Sequence, residues 1–156
     1  MNTTGSRVRT SGTSTGAPVR DYLIAAALQQ IELVRYFIEV EGLHPDVTWN
    51  GKPTAICYAA MQRNAMLLEY LCDSGADVNR ADALGMTPLM YSTLAGWTYG
   101  VAYLIAQGAE LNRVNGRCET ALLLARQSAN RAECAELLYR HGARDCHGPP
   151  EAWRFH

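Results

Sequence analysis

The feature that most constrains this chain is a repeated interval, which three equally spaced threonines mark at Thr54, Thr87 and Thr120. Each threonine opens a short apolar run with a small residue at its sixth place: 54–60, 87–93 and 120–126. A fixed period of this length is typical of repeated supersecondary units. Such units bury their apolar faces only against neighbouring units, so the sequence predicts a stack.

Glycine-led segments recur at the same interval. Gly75–Asn79 and Gly108–Asn112 follow the first two threonines at equal distances along the chain, and Gly142–Arg144 follows the third one place late. Counting back one period leads to Gly42 and to the apolar segment Leu23–Ala27. We therefore expect a degenerate fourth unit before the three clear ones.

The unit that begins at Thr87 can be interpreted residue by residue. Its hydroxyl suits an N-cap, and Pro88 suits the first helical position, where the missing N–H costs nothing. Gly96 indicates a turn into a second helix, whose buried face is spaced for helical periodicity. That face and the terminating glycine are Val101, Leu104, Ile105 and Gly108.

Gly85-Met-Thr-Pro-Leu-Met90, with Gly108-Ala-Glu-Leu-Asn112 behind it, resembles the ankyrin repeat, and the threonine interval matches the period of that repeat, about 33 residues. The resemblance implies an all-α solenoid of stacked helix-turn-helix units with projecting hairpin loops. We expect a disordered N-terminal tail at 1–16 and a C-terminal tail at 149–156 that caps the stack. Between them we expect an ankyrin-repeat domain at 17–148, with units at about 17–48, 49–81, 82–114 and 115–148.

The sequence departs from the family pattern at one position of every unit. Ankyrin repeats usually carry a histidine three places after the threonine, and that histidine ties neighbouring hairpins by hydrogen bonds. Here the position holds Ile24, Cys57, Met90 and Leu123. The substitution predicts an apolar ladder in place of a polar one, and a less rigid stack.

The resemblance also implies a partner-binding surface on the loop tips and the inward face of the first helices. Carried over by position, this surface comprises Trp49, Asn50, Pro53, Tyr58, Met61, Gln62, Leu84, Met86, Tyr91, Leu94, Trp97, Arg117, Glu119 and Gln127. Apolar groups exposed together usually indicate an interaction site. The alternative is that members such as Met86 and Leu94 pack under the next unit's loop. For the set we expect exposure, because a thin stack offers Leu84, Met86 and Trp97 little cover.

Composition excludes several classes of function. The net charge of −1 and the mixed basic and acidic residues do not favour nucleic acid or an anionic membrane. No apolar run is long enough for a membrane span. Five cysteines without a C-x-x-C pair favour a reducing compartment, and we expect a cytoplasmic protein. The Arg-rich, acid-free start of the chain, up to Arg20, leaves a transit peptide as an alternative to a disordered tail.

No catalytic or nucleotide-binding motif is present, and we expect no cofactor, no metal and no enzymatic activity. The cysteines are predicted on buried helix faces, where a thiol is a poor nucleophile. The alternative is a metal or enzymatic site near the C-terminus, built from His141, Cys146, His147 and His156.

These observations predict a non-catalytic protein-interaction module that is monomeric alone and acts as an adaptor, an inhibitor or a regulatory subunit. One concrete alternative is a small inhibitor of the immunity-protein type, which blocks a partner enzyme's active site. Self-association through an uncapped end is a third possibility. In the C-terminal tail, Trp153 and Phe155 either cover the last hairpin or form a docking motif.

Overall fold

The computed structural model describes residues 16–144, and this part of the chain is all-helical without a β-strand. The helices are α1 (Gly16–Ala27), α2 (Ile31–Glu39), α3 (Ala55–Met61), α4 (Ala65–Asp73), α5 (Pro88–Leu94), α6 (Thr98–Ala106), α7 (Ala121–Arg126) and α8 (Ala132–Arg140), with a single 3₁₀ turn at Ala129–Arg131. Successive helices pair as hairpins, and α1, α3, α5 and α7 pack in a row as the inner helices. The predicted helical solenoid is confirmed.

Two of the three threonines cap helices as the sequence predicts. The Oγ1 of Thr87 accepts the N–H of Met90 at 3.3 Å, and that of Thr120 accepts the N–H of Leu123 at 3.2 Å. Thr54 differs, because its hydroxyl donates to the thiol of Cys57 and caps no amide. The threonine period therefore marks helix starts, but one unit uses its hydroxyl in another way.

One continuous core runs through the stack because each hairpin covers the apolar face of the next. Its largest fully buried side chains come from all four hairpins and include Tyr22, Val34, Ile56, Leu68, Leu71, Leu89, Leu104, Leu122 and Leu138. The one phenol among them is satisfied, since Tyr22 donates to the carbonyl of Pro45 at 3.0 Å. Each of these side chains contributes about 1.5–3 kcal/mol by leaving water.

A polar ladder joins the hairpin loops, a feature that the apolar ladder expected at the histidine position did not include. Asp46, Asn79 and Asn112 are each separated from the next by one repeat period. Each side chain accepts a backbone N–H from the following unit: Asp77 at 3.0 Å, Glu110 at 2.7 Å and Arg144 at 2.6 Å. The stack therefore keeps backbone-fixing bonds, but they lie in the loops instead of at the position of the missing histidine.

The position of that histidine is itself partly polar. The Cys57 thiol accepts from Thr54 at 3.3 Å and lies 3.8 Å from the carbonyl oxygen of Arg80, to which it donates. Met90 is buried as expected, whereas Ile24 is 47% exposed. The carbonyl of Ile24 accepts the N–H of the residue directly after its helix, just as those of Tyr58 and Tyr91 do, so Ile24 lies level with these partly exposed tyrosines. Leu23, which is 4% exposed, takes the place expected for Ile24. The predicted apolar ladder is therefore wrong at Cys57, which makes polar contacts, and its first member is Leu23.

The 3₁₀ turn lies where the sequence has its extra residue in the last unit. It brings Arg131 against the ends of two inner helices. Its Nε and Nη1 donate to the carbonyl oxygens of Leu94 and Leu124, both at 3.1 Å. The last residues of a helix leave carbonyls without an intrahelical partner, so this arginine satisfies two of them and joins α5 to α7.

The predicted tails lie outside the described residues, apart from Gly16, which opens α1. This applies to the proposed C-terminal cap with Trp153 and Phe155. The division into tail, repeat domain and tail stays a prediction.

We predict that Asn79→Ala lowers the free energy of unfolding by about 1 kcal/mol, because its side chain both accepts from Glu110 and donates to the carbonyl of Gly108. Urea denaturation followed by circular dichroism measures the change. Asn130→Ala is the matched control, since its exposed side chain makes no hydrogen bond within residues 16–144. Equal stability of the two variants would contradict a role for the ladder.

Candidate functional site

The candidate site is the surface formed by loops 48–53, 82–86 and 115–119 together with helices α3, α5 and α7, which we name the loop–helix face. Every residue of the sequence-predicted surface except Trp97, the N-cap of α6, belongs to these segments or follows directly after their helices. The loops project from the ends of the inner helices, so their shape decides what a partner can contact.

Two side chains that sequence reasoning missed shape the second and third loops. The Oδ1 of Asp82 accepts the N–H groups of Leu84 and Met86 at 2.9 and 3.0 Å. One period later, the Oδ1 of Asn115 accepts those of Arg117 and Glu119 at 2.8 and 3.0 Å. Short polar side chains of this type fix a turn by bonding to the backbone that follows. Their separation by one repeat period was the available signal.

The tips of these two loops touch at glycines. The N–H of Gly116 donates to the carbonyl of Leu84 at 2.8 Å. A Cβ on Gly85, which has φ +75°, would lie 3.0 Å from both the Cα of Asn115 and the N of Gly116. Only glycine fits this approach. The apolar side chain of Leu84 nevertheless stays 69% exposed on this fixed backbone.

Met86 and Trp97 do not belong to an accessible surface, so the expectation that they lack cover is wrong. Met86 is 8% exposed, and the Nδ2 of Asn115 donates to its sulfur at 3.3 Å. Trp97 is 7% exposed and lies flat against α6, where a Cβ on Gly100 would lie 2.1 Å from its ring. The next unit's loop covers Met86, and the absence of a side chain at Gly100 makes room for the ring of Trp97.

Tyr91 ties α5 to the loop before it. Its hydroxyl donates to the Oδ2 of Asp82, whose other oxygen already holds the loop backbone. Burial, together with this bond and the charge of Asp82, raises the pKa of the Tyr91 phenol well above its usual range. Burial also raises the pKa of Tyr58. Both rings stay partly exposed, so they offer an apolar edge to a partner while the Tyr91 hydroxyl is engaged.

In the last unit, three predicted residues form one group. The carboxylate of Glu119 accepts from the Nδ2 of Asn115 at 2.8 Å and from the Nε2 of Gln127 at 3.3 Å. The bond from Asn115 is the main cause that lowers the pKa of Glu119. Arg117 is exposed at the loop tip beside them.

In the second unit, the predicted residues differ in accessibility. Asn50 is exposed at φ +50°, and Trp49 is half-buried with its indole close to Gly16. The side-chain amide of Gln62 donates to the carbonyl of Ala27, which ties it to the first unit. The remaining partly exposed members of the predicted surface are Pro53, Met61 and, from the third unit, Leu94.

Two clefts open beside these elements. A cavity of about 460 Å³ lies between the first two loops and is lined by charged side chains, among them Lys52, Arg80 and Arg113. A second, of about 280 Å³, lies at the opposite ends of the inner helices beside Leu94 and Arg131. Sequence reasoning pointed to neither cleft as a unit, because each draws its lining from hairpins one period apart.

The described residues offer little to support nucleophilic chemistry. Cys57 is fully buried, and burial raises the pKa of its thiol to about 12, which makes it a poor nucleophile. Cys118 departs from the expectation of buried helical cysteines, because it is exposed in a loop at φ +60°. No histidine occurs between 45 and 140, and the neighbouring carboxylate of Glu119 is engaged by Asn115 and Gln127.

Within residues 16–144, no group of three potential metal ligands is assembled, and no helix has the length and hydrophobicity that a membrane crossing requires. The alternative metal site has one member here, His141, whose Nδ1 lies 2.8 Å from the carbonyl oxygen of Leu137. Its other members, Cys146, His147 and His156, lie outside the described residues.

Comparison with known proteins supports the repeat interpretation. Residues 56–98 match the family described as "Ankyrin repeats (many copies)". Palmitoyltransferase AKR1 of Candida glabrata is 31% identical over 97 residues, and palmitoyltransferase AKR1 of Saccharomyces cerevisiae is 29% identical over 97 residues. Each alignment covers 62% of this chain but only 13% of the relative. The chain therefore corresponds to a small part of these curated proteins.

We predict that Tyr91→Phe destabilises the protein by about 1.5–3 kcal/mol, because it removes the charge-assisted hydrogen bond to the Oδ2 of Asp82. Thermal and urea denaturation measure the loss. Tyr139→Phe is the control, since Tyr139 is exposed and its hydroxyl has no partner within residues 16–144. A loss of similar size in both variants would show that the bond to Asp82 contributes nothing specific.

Proposed function

We propose that this chain, an ankyrin-repeat protein, is a non-catalytic module that binds another protein through its loop–helix face. The observation that carries the proposal is Leu84, a large apolar side chain that is 69% exposed on a loop held by Asp82 and Gly116. A rigid backbone that presents an apolar group loses little conformational entropy on binding, which favours affinity. Ankyrin repeats are an interaction fold without catalytic chemistry of their own, in keeping with this role.

The finer role we propose is that of an adaptor, an inhibitor or a regulatory subunit. The inhibitor version is a small protein of the immunity type, whose fixed loops enter and block a partner enzyme's active site. The relatives are named palmitoyltransferases, but the matched region is 13% of their length. We therefore propose no transferase activity for this chain, no cofactor, and no nucleic-acid or membrane partner. A reducing, cytoplasmic location remains part of the proposal.

A paired charge variant tests the proposed surface. We expect Leu84→Asp with Arg117→Glu to abolish capture of the partner from a lysate of the source cells. With a purified partner, we expect the binding affinity to fall at least about tenfold, because loss of an interface anchor costs about 1.4 kcal/mol or more. Both side chains are exposed, so the fold should persist.

The control is Met66→Asp with Arg140→Glu, which makes the same two changes at exposed positions on the outer helices α4 and α8. Circular dichroism verifies that all variants are folded. If the first variant keeps every partner, or if only the control loses them, the loop–helix face is not the binding surface.

A second candidate function is self-association through the uncovered end of the first unit. Ile24 on α1 is 47% exposed, Leu28 directly after α1 is 62% exposed, and Leu33 on α2 is 40% exposed. The residue that corresponds to Leu33 in the second unit, Leu67, is fully buried. This end face, formed by Ile24, Leu28 and Leu33, therefore has the chemistry of a hairpin interface without its partner, which favours a dimer over the monomer expected from sequence.

We predict that light scattering coupled to size exclusion will show a mass that rises with protein concentration, and that Leu28→Lys will return it to the monomer, because a charge at the end face opposes burial. Met66→Lys, at an exposed position on α4, should leave the association unchanged. A constant monomer mass for the unmodified chain would eliminate this candidate.

A further inference from the structure

A cleft of about 460 Å³ lies between loops 48–53 and 77–83. Most hydrogen-bond acceptors in its lining are occupied, whereas two cationic donors are not. Lys52 and Arg80 are exposed at its edge, and neither side chain makes a hydrogen bond or ion pair to another residue in the described range. They come from neighbouring units, so the stacking of hairpins brings them to one opening. The N–H donors of the ammonium and of the guanidinium are thus available to a ligand.

The acceptors of the same cleft are mostly in use. Asp82 accepts from two backbone N–H groups through one oxygen and from Tyr91 through the other. The side-chain oxygen of Asn79 accepts from Glu110, and its carbonyl accepts from Arg113. A ligand that supplies hydrogen-bond acceptors therefore fits this cleft better than one that supplies donors.

Asp77 is the exception in the lining. One of its carboxylate oxygens accepts the N–H of Asn79 at 2.8 Å, and the other has no partner in residues 16–144. Its charge and that of Asp82 oppose an anion at the cleft, while Lys52, Arg80 and Arg113 attract one. Arg113 already forms an ion pair with Glu110 at 3.7 Å, so Lys52 and Arg80 are the cations that a ligand can pair with.

Small residues line the part of the cleft where the two loops meet. Gly51, Ala81 and Ala83 lie there, and a Cβ on Gly51 would come within 3.0 Å of the Cβ of Ala83. The two loops meet at this point and leave an open trough instead of a closed pocket. An open trough without bulky side chains where its loops meet, and with cations at its edge, suits an extended chain that carries carboxylates.

We propose that this cleft binds an acidic peptide segment of the partner protein, with carboxylates paired to Lys52 and Arg80. The inference rests on the proposed function, since it names the chemistry of the segment that the binding module recognises. Binding weakens with salt, because both cations are exposed to solvent. The contact adds an electrostatic element beside the apolar one at Leu84.

A labelled decapeptide of alternating Glu and Gly tests the inference by fluorescence anisotropy with the full chain. We expect Lys52→Gln with Arg80→Gln to weaken this peptide about tenfold, because two charge pairs are lost. Arg63→Gln with Arg140→Gln removes the same net charge at exposed positions outside the cleft and should change the affinity little. Asp77→Asn keeps the acceptor for Asn79 but removes one opposing charge, so it should tighten binding.

Three results would overturn the inference: no saturable binding of the acidic peptide by the unmodified chain, equal weakening by the two charge-neutralised double variants, or equal binding of a Lys-Gly decapeptide. Inorganic phosphate is added as a competitor. If it displaces the peptide at matched charge concentration, the site binds free anions and the assignment to a peptide is wrong.

The failure of this inference is distinguishable from failure of the proposed function. A captured partner that is lost by Leu84→Asp with Arg117→Glu but kept by Lys52→Gln with Arg80→Gln leaves the binding module in place and removes the acidic segment. Loss of the partner with both variants supports the proposed function and the acidic-segment inference together.

Discussion

Burial of one hairpin's apolar face against the next is the interaction on which the rest of this structure depends. No single pair of short helices can remove side chains such as Ile56, Leu89 and Leu122 from water, whereas the stack leaves all three almost fully buried. The same requirement explains the end of the stack. Leu33 corresponds to Leu67, which is fully buried, yet it is 40% exposed because the described residues contain no hairpin before its unit.

A second constraint is the placement of the loops, which the apolar core alone would leave loose. The side chains of Asp46, Asn79 and Asn112 each hold a backbone N–H of the following unit, and Asp82 and Asn115 fold the loop tips. These bonds replace the histidine-based ties that ankyrin repeats usually have. The loss of that histidine therefore does not leave the hairpins joined by apolar contact alone.

The loops place two kinds of chemistry along one edge of the molecule. Leu84 offers an apolar group on a backbone fixed by Asp82 and Gly116, and the neighbouring cleft offers the cations Lys52 and Arg80, which are unpaired within residues 16–144. A partner that inserts an apolar side chain beside an acidic segment would use both. Apolar contact supplies most of the affinity in such an interface, and charge pairs contribute mainly to specificity and to the rate of association.

The sequence by itself determined the repeat, the helical class and the helix starts, because the fixed threonine interval and the caps at Thr87 and Thr120 are local properties of the chain. The tertiary structure decided which predicted contact residues are accessible. Met86 and Trp97 have the same apolar character as Leu84, yet Asn115 covers the first and Gly100 makes room for the second. The cleft of Lys52 and Arg80 was likewise invisible in the sequence. The exposure of a side chain and the lining of a cleft depend on how neighbouring hairpins pack. The sequence shows such contacts only where the residues that make them recur at the repeat period.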